Sequence, residues 1–312
     1  MAQAGIVQRR EGGLTHVTVP ALQRMHRWLD GQFTLVATLP TTVLMLAVFG
    51  IPLLISLYLS LEGWNVSQAL FGGRFVGTEN YHDLLTDPGF ISSLLLTLSY
   101  TIVVVAAEMA LGLGLALMLN VDLPFIGLFR TALVVPMMMT PVVAAFCWRL
   151  LLDPTNGVID YWIGRHIVWL GQPATAQVSV GVVNVWQNAP YVAILLLAGL
   201  RSLPSEPLEA ASIDGANRLQ TFWHITLPLL RPYFVVALLL RTIFEFRTFD
   251  NVYVMTSGGP ASATMLLSMY TYLASFQQFD LSLGAAASWF MLVISLLLCL
   301  LFIATIRRRS TV

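Results

Sequence analysis

The residues best equipped for chemistry in this sequence lie inside its most apolar runs. In LRTIFEFRTFD, Arg241, Phe244, Glu245 and Thr248 recur at i, i+3, i+4 and i+7, which is one face of a helix. Asn184, Gln187, Asn188 and Tyr191 repeat that kind of spacing in the preceding apolar run. Amides, an aromatic ring and a pair of opposite charges supply donors, acceptors and a flat apolar face, which sugar hydroxyls and sugar rings require. The same residues also admit a plainer reading. Arg241 and Glu245 neutralise one another at i,i+4, and the amides bond between helices as structural glue.

Other chemistries are poorly provided for. The chain contains no lysine, so it has neither the phosphate-binding lysine of an ordinary Walker A loop nor an amine for a Schiff base. Histidines 16, 26, 82, 166 and 224 are scattered without metal-ligand spacing, and neither HExxH nor GxSxG occurs. Cys147 and Cys299 sit in apolar runs, where a free thiol behaves as a small hydrophobe rather than half of a disulfide. Glu108 is a lone acid in an apolar segment: a proton relay on one reading, a hydrogen-bonded structural acid on the other. GLGLA, residues 112–116, favours close contact with a neighbouring helix or subunit.

The elements that must position these residues are membrane helices. Of the 312 residues 57% are hydrophobic and 10% charged, against about a quarter charged in globular proteins. About 20 apolar residues in helix cross a bilayer core, where every backbone polar group must be satisfied internally. Six stretches qualify: Phe33 to Leu59, Ile91 to Leu119, Thr131 to Leu152, Val178 to Leu200, Tyr233 to Met255 and Gly284 to Ile306. Pro40, Pro52, Pro136 and Pro141 are expected to kink their helices. The first stretch is too long for a cleaved signal and reads as an anchor. The expected organisation is an N-terminal segment 1–32, a six-helix domain 33–306 and a basic tail 307–312.

An even number of crossings puts both termini on one side. Arg9, Arg10, Arg24, Arg27, Arg130, Arg201, Arg218, Arg231 and Arg307 to Arg309 share that side, against Arg74 and Arg165 opposite, so it is expected to be cytoplasmic. Net charge is zero, which leaves no basic field for nucleic acid.

Between crossings four and five lies one polar cytoplasmic segment, about residues 202–232. Ser205 is placed to cap a short helix, Pro207 sits in its first turn, and Glu206 and Glu209 suit its positive end. Asp214 and Gly215 supply a turn, and Pro228 and Pro232 mark entry to the next crossing. The result is a projecting helical elbow. Leu208, Ala211, Ile213, Leu219, Phe222 and Trp223 are more apolar surface than a solvated loop needs, so one face meets another protein or lies on lipid.

This elbow resembles the EAA signature of type I ABC importer permeases. Glu209, Ala210 and Ala211 are followed by Gly215, nine residues, Ile225, one residue, then Leu227 and Pro228, with Asp214 and Ala216 completing the usual DGA and with Phe222 between. FDNVYVMTSGGP at residues 249–260, FQQFDLSLGAA at 276–286 and VPMMMTPVVAAFCWRLLLDP at 135–154 look like the carbohydrate branch of that family. The resemblance implies an all-α membrane protein with the type I permease fold in a bacterial cytoplasmic membrane. It implies that the elbow is a coupling helix docking on a cytoplasmic ATPase. Expected partners are a homologous second permease, two ABC ATPases holding ATP and magnesium, an extracellular or periplasmic sugar-binding protein and a sugar. The chain itself would bind no cofactor and would be no enzyme. Maltose-type permeases use this pair of helices for sugar contacts, but Arg241 and Glu245 are more charged than a maltose site suggests; a trehalose-like disaccharide, an oligosaccharide or a polyol fits equally. The rival from another class is an ion-coupled carrier using Glu108, Glu245 and Asp250.

Overall fold

The computed structural model describes residues 37–64, 72–121 and 124–307. The expected segment 1–32, the start of the first crossing and Arg308 and Arg309 of the tail lie outside the described residues. The chain partitions into two compact units, residues 1–56 and 57–312. In the first, the described residues open helix α1 (Ala37–Ser60), with mean hydropathy 2.3. Its turn Leu46–Gly50 is π-helical, so the ladder widens immediately before Pro52, which has no N–H to give and whose ring crowds the preceding turn.

The second unit begins with the end of α1 and a two-residue antiparallel ribbon, β1 (Glu62–Gly63) with β2 (Arg74–Phe75). Helix α2 (Glu79–Thr86) leads into the long α3 (Pro88–Leu119), which starts where Asp87 accepts from the N–H groups of Gly89 and Phe90. Next come α4 (Ile126–Met138) and α5 (Pro141–Leu151), then the short α6 (Val158–Ile163) and α7 (Pro173–Arg201). The elbow helix α8 (Glu206–Ile213) precedes α9 (Arg218–Phe246). Two short helices, α10 (Asp250–Met255) and α11 (Leu267–Tyr272), connect to the terminal α12 (Leu281–Arg307).

Five of these helices are long and apolar enough to cross a membrane, and the bent pair α4 and α5 makes a sixth crossing. The bend is 96° and has a local cause. Pro141 disfavours helical backbone in the residue before it, and Met139 and Thr140 are both extended at ψ 140° and 143°. The fifth crossing is shifted from the expected Tyr233 to Met255. Its helix begins at Arg218 and ends at Phe246, where Arg247 and Phe249 leave helical geometry.

Helices α3 and α7 form the centre. Gly112 lets them approach: a Cβ there would stand 2.5 Å from a methyl of Val192. The GLGLA stripe therefore serves a contact within this chain. Val105, Met109 and Ala116 of α3 pack with Val192 and Leu196 of α7 and with Leu230 and Ala237 of α9. A second cluster joins Ala145, Val180, Val183, Val252 and Met255, fixing α10 against α5 and α7. Cys147 is free and exposed on α5, rather than buried as its apolar setting suggested, and Cys299 is also free.

Candidate functional site

Three charges in the membrane-spanning helices meet at one point. Glu108 of α3 is fully buried, and Arg241 of α9 donates to both its oxygens, Nε to Oε2 and Nη2 to Oε1, each at 2.7 Å. Arg241 Nη2 also donates to Glu245 Oε2 at 3.0 Å, one helical turn on. Charges in apolar surroundings are tolerated when paired and hydrogen-bonded, and all four carboxylate oxygens of this cluster accept a hydrogen bond. The expected Arg241 and Glu245 pair is present, but Glu108 is its stronger partner. The signal was in the sequence: Glu108, Arg241 and Glu245 lie deep in apolar runs, where charges must find partners.

From this cluster a chain of amides runs along α7. Asn184 Nδ2 donates to Glu245 Oε1 at 2.5 Å, and Asn188 Nδ2 donates to Asn184 Oδ1 at 2.7 Å. Gln187 Nε2 donates to the carbonyl of Met139 at 3.0 Å. That carbonyl lies at the break between α4 and α5, where no helical N–H reaches it, so the amide satisfies it instead.

These groups border a cavity of about 330 Å³. Of the eight expected residues, Asn184, Gln187, Asn188, Arg241, Phe244, Glu245 and Thr248 line it, and Tyr191 does not. Met137, Met139, Phe249 and Asn251 line it too and were not anticipated. Two expectations of position are corrected. Thr248 does not continue the face of Arg241, because α9 ends two residues earlier; it reaches the cavity from the following turn. Phe244 is 63% exposed, whereas Arg241 and Glu245 are buried, so the three are not equally inward-facing. The break at 247–249 contains no glycine or proline, and it is what turns Phe249 and Asn251 back towards the cavity.

The elbow is built as helix, stop and restart. Ser205 makes no side-chain cap to α8, contrary to expectation. The stop is a Schellman motif: Ala216 N–H donates to Ala211 O at 2.9 Å and Gly215 N–H to Ser212 O at 3.2 Å, with Gly215 at φ +77°. The restart is a capping box in which Asn217 and Gln220 exchange side-chain to backbone bonds at 2.8 and 2.9 Å. Glu209, Ala210, Asp214 and Gly215 are exposed, as is Pro228. Ala216, Phe222, Ile225 and Leu227 are partly buried, and Ala211 is buried. The apolar face is divided. Ile213, Leu219 and Trp223 stand exposed, Ile213 at 86%, while Leu208 and Phe222 are half-covered.

Among the described residues no cluster of histidine, cysteine or acid could hold a metal ion. Glu108 and Glu245 are each bound to Arg241 and Asp250 is exposed, which offers no support to the ion-coupled alternative.

Residues 89–308 match the family described as binding-protein-dependent transport system inner membrane component. The chain is 36% identical over 260 residues to the trehalose transport system permease protein SugA of Mycobacterium tuberculosis, covering 82% of each. It is 31% identical over 307 residues to the sulfoquinovosyl glycerol transport system permease protein SmoG of Agrobacterium fabrum, covering 96% of this chain and 99% of that one. The fold is similar, at TM-score 0.79 and 24% identity, to a chain of a bacterial ABC transporter involved in the import of the acidic polysaccharide alginate, covering 92% of this chain and 99% of that chain.

Proposed function

Because this chain belongs to the binding-protein-dependent transport system inner membrane components, a family of permeases and not of enzymes, we propose that it forms half of the translocation path for a sugar, with trehalose or a similar neutral disaccharide as substrate. The observation that carries this reading is the polar cavity. It gathers amides, a hydroxyl, two aromatic rings and two guanidinium groups where α7, the end of α9 and the α4–α5 break meet. Its volume lies at the lower end of the roughly 300–1,000 Å³ of small-molecule sites, which suits a ligand also contacted by a second permease. The hydrolysis of ATP belongs to separate subunits.

In this reading Asn184, Gln187, Asn188, Arg241, Phe244, Glu245 and Thr248 are substrate contacts, with Tyr191 outside the cavity. The elbow is the coupling helix. Ile213, Leu219 and Trp223 enter a groove on the cytoplasmic ATPase, and the Schellman stop at Gly215 fixes the angle at which they do so. Closure of the ATPase pair then turns two permeases from inward-facing to outward-facing. That conversion requires different contacts in the two states, and the docked elbow supplies them. An external binding protein delivers the sugar, and both termini lie in the cytoplasm.

The cavity assignment is tested by solvent protection. With Cys147 and Cys299 replaced by alanine, a cysteine placed at Asn188 should react with a water-soluble maleimide, and trehalose should protect it. Reaction unaffected by any sugar, at Asn188 and equally at Thr248, would remove the cavity from the translocation path.

A further inference from the structure

Arg241 carries five N–H groups, and three of them are committed inside the protein. The Nε–H and one Nη2–H hold the two oxygens of Glu108, and the second Nη2–H holds Glu245. Nη1 makes no hydrogen bond, yet it is not among the buried polar atoms that lack one, so its open side is the cavity that Arg241 lines. The side chain is otherwise only 7% exposed. Asn188 has the complementary vacancy. Its Nδ2 serves Asn184, and its Oδ1 is left as an acceptor at the same cavity. The site therefore offers two donors on one atom and an acceptor on another, the pattern that a pair of sugar hydroxyls completes.

Charge decides which sugar. Glu108, Arg241 and Glu245 sum formally to −1, or to zero if one carboxyl holds a proton. At the rim Arg247 and Asp250 are both exposed and cancel. Among the described residues that line the cavity there is no surplus positive charge to receive a carboxylate or a sulfonate. Glu108 lines no part of the cavity, so it meets the ligand only through the guanidinium that it grips.

We propose that Glu108 is a positioning residue that sets the substrate class: by holding one edge of Arg241 and neutralising it, it presents Nη1 as a fixed donor pair for a neutral sugar and against an acidic one. The inference rests on the sugar-site reading above. Without the charge of Glu108 the guanidinium would face the cavity with less of its positive charge balanced, which favours an acid. Discrimination thus comes from a neutralised charge as well as from an offered donor pair.

The test is direct sugar binding to the purified assembly of permeases and ATPases, without binding protein, using trehalose and a galacturonate disaccharide as probes. Glu108→Gln should weaken trehalose binding about tenfold or more and shrink or reverse the preference over the uronate, a size set by the charge-assisted hydrogen bonds lost. Glu108→Asp should weaken binding while keeping the preference. In an Arg241→Gln background, Glu108→Gln should change neither affinity further. Wild-type affinities in Glu108→Gln, or losses that multiply in the double variant, would overturn the proposal. If Glu108→Gln does not assemble, Glu108→Asp decides, and trehalose binding equal to wild type overturns it. Failure of both variants to assemble would mark Glu108 as purely structural and also overturn it. A wild-type assembly that binds neither sugar refutes the sugar reading itself, which is a distinguishable outcome.

Discussion

Replacing Arg241 by methionine removes the only cation from a cluster in which Glu108 is 0% and Glu245 1% exposed. Methionine fills nearly the same length, so the cavity left is small and the loss is electrostatic. Three charge-assisted hydrogen bonds disappear, at 2.7, 2.7 and 3.0 Å. Their individual strengths of about 1.5–3 kcal/mol do not simply add, because the abandoned carboxyls relieve repulsion by taking up protons. Breaking a buried ion pair from one side costs about 3–5 kcal/mol, and that is the loss expected here. The triple variant Glu108→Gln, Arg241→Met, Glu245→Gln leaves no charge in the cluster, and its amides can bond each other and Asn184. It should recover most of the loss. Stability is read as the midpoint and slope of denaturant unfolding of the assembly in detergent, followed by tryptophan fluorescence. A single variant within about 1 kcal/mol of wild type, or a triple variant less stable than the single one, would refute the assignment of the cluster as a charge-balanced unit.

Other consequences concern packing, the elbow and acidity. Gly112→Ala drives a Cβ to 2.5 Å from Val192 and should destabilise the assembly by about 1–3 kcal/mol, whereas Gly114→Ala, with nothing within 4 Å, should be neutral or gain up to about 1 kcal/mol of helix propensity; equal melting of the two would contradict the α3–α7 contact. At Gly215 an added Cβ meets nothing, so Gly215→Ala isolates the cost of φ +77°, about 1–2 kcal/mol, and sugar-stimulated ATP hydrolysis should fall without loss of assembly; unchanged stimulation would argue against the rigid stop. At the head of α3, burial pushes the Asp87 carboxyl up, but the Tyr270 hydroxyl at 2.5 Å and the N–H groups of Gly89 and Phe90 outweigh it and hold it below the usual range. A depressed carboxyl gives stability that is fully present above its unfolded value near 3.8 and is lost as pH falls through the lower folded value. Tyr270→Phe should therefore move the acid limb of stability to higher pH, and superimposable acid limbs would exclude the contact.

Where the sequence spoke clearly, a single strong physical constraint was acting. Twenty apolar residues need a bilayer, so the crossings were legible, and a polar segment interrupting them had to project, so the elbow was legible down to Gly215. Seven of the eight expected residues, six of them polar, surround one cavity because intramembrane polarity leaves few other places to stand. What was not legible depended on partners distant in sequence or on breaks without punctuation. Nothing in FRTFD marks the end of α9 at Phe246, so Thr248 was assigned to the wrong face and Phe249 and Asn251 went unnoticed. The bond from Glu108 to Arg241 spans 133 positions, and only the balance of buried charge hints at it. Asn217 caps the restart without having been singled out, although N-x-x-Q before an apolar run is a capping signal as good as Ser205, which does not cap.

The most direct test of the whole account is uptake of labelled trehalose into proteoliposomes holding this chain with its second permease, the ATPase subunits and the binding protein. Uptake should require ATP on the cytoplasmic side, survive a protonophore, and fall with Asn188→Leu at the cavity and with Gly215→Pro at the elbow. Uptake that persists without the ATPase subunits and collapses with the proton gradient would contradict it.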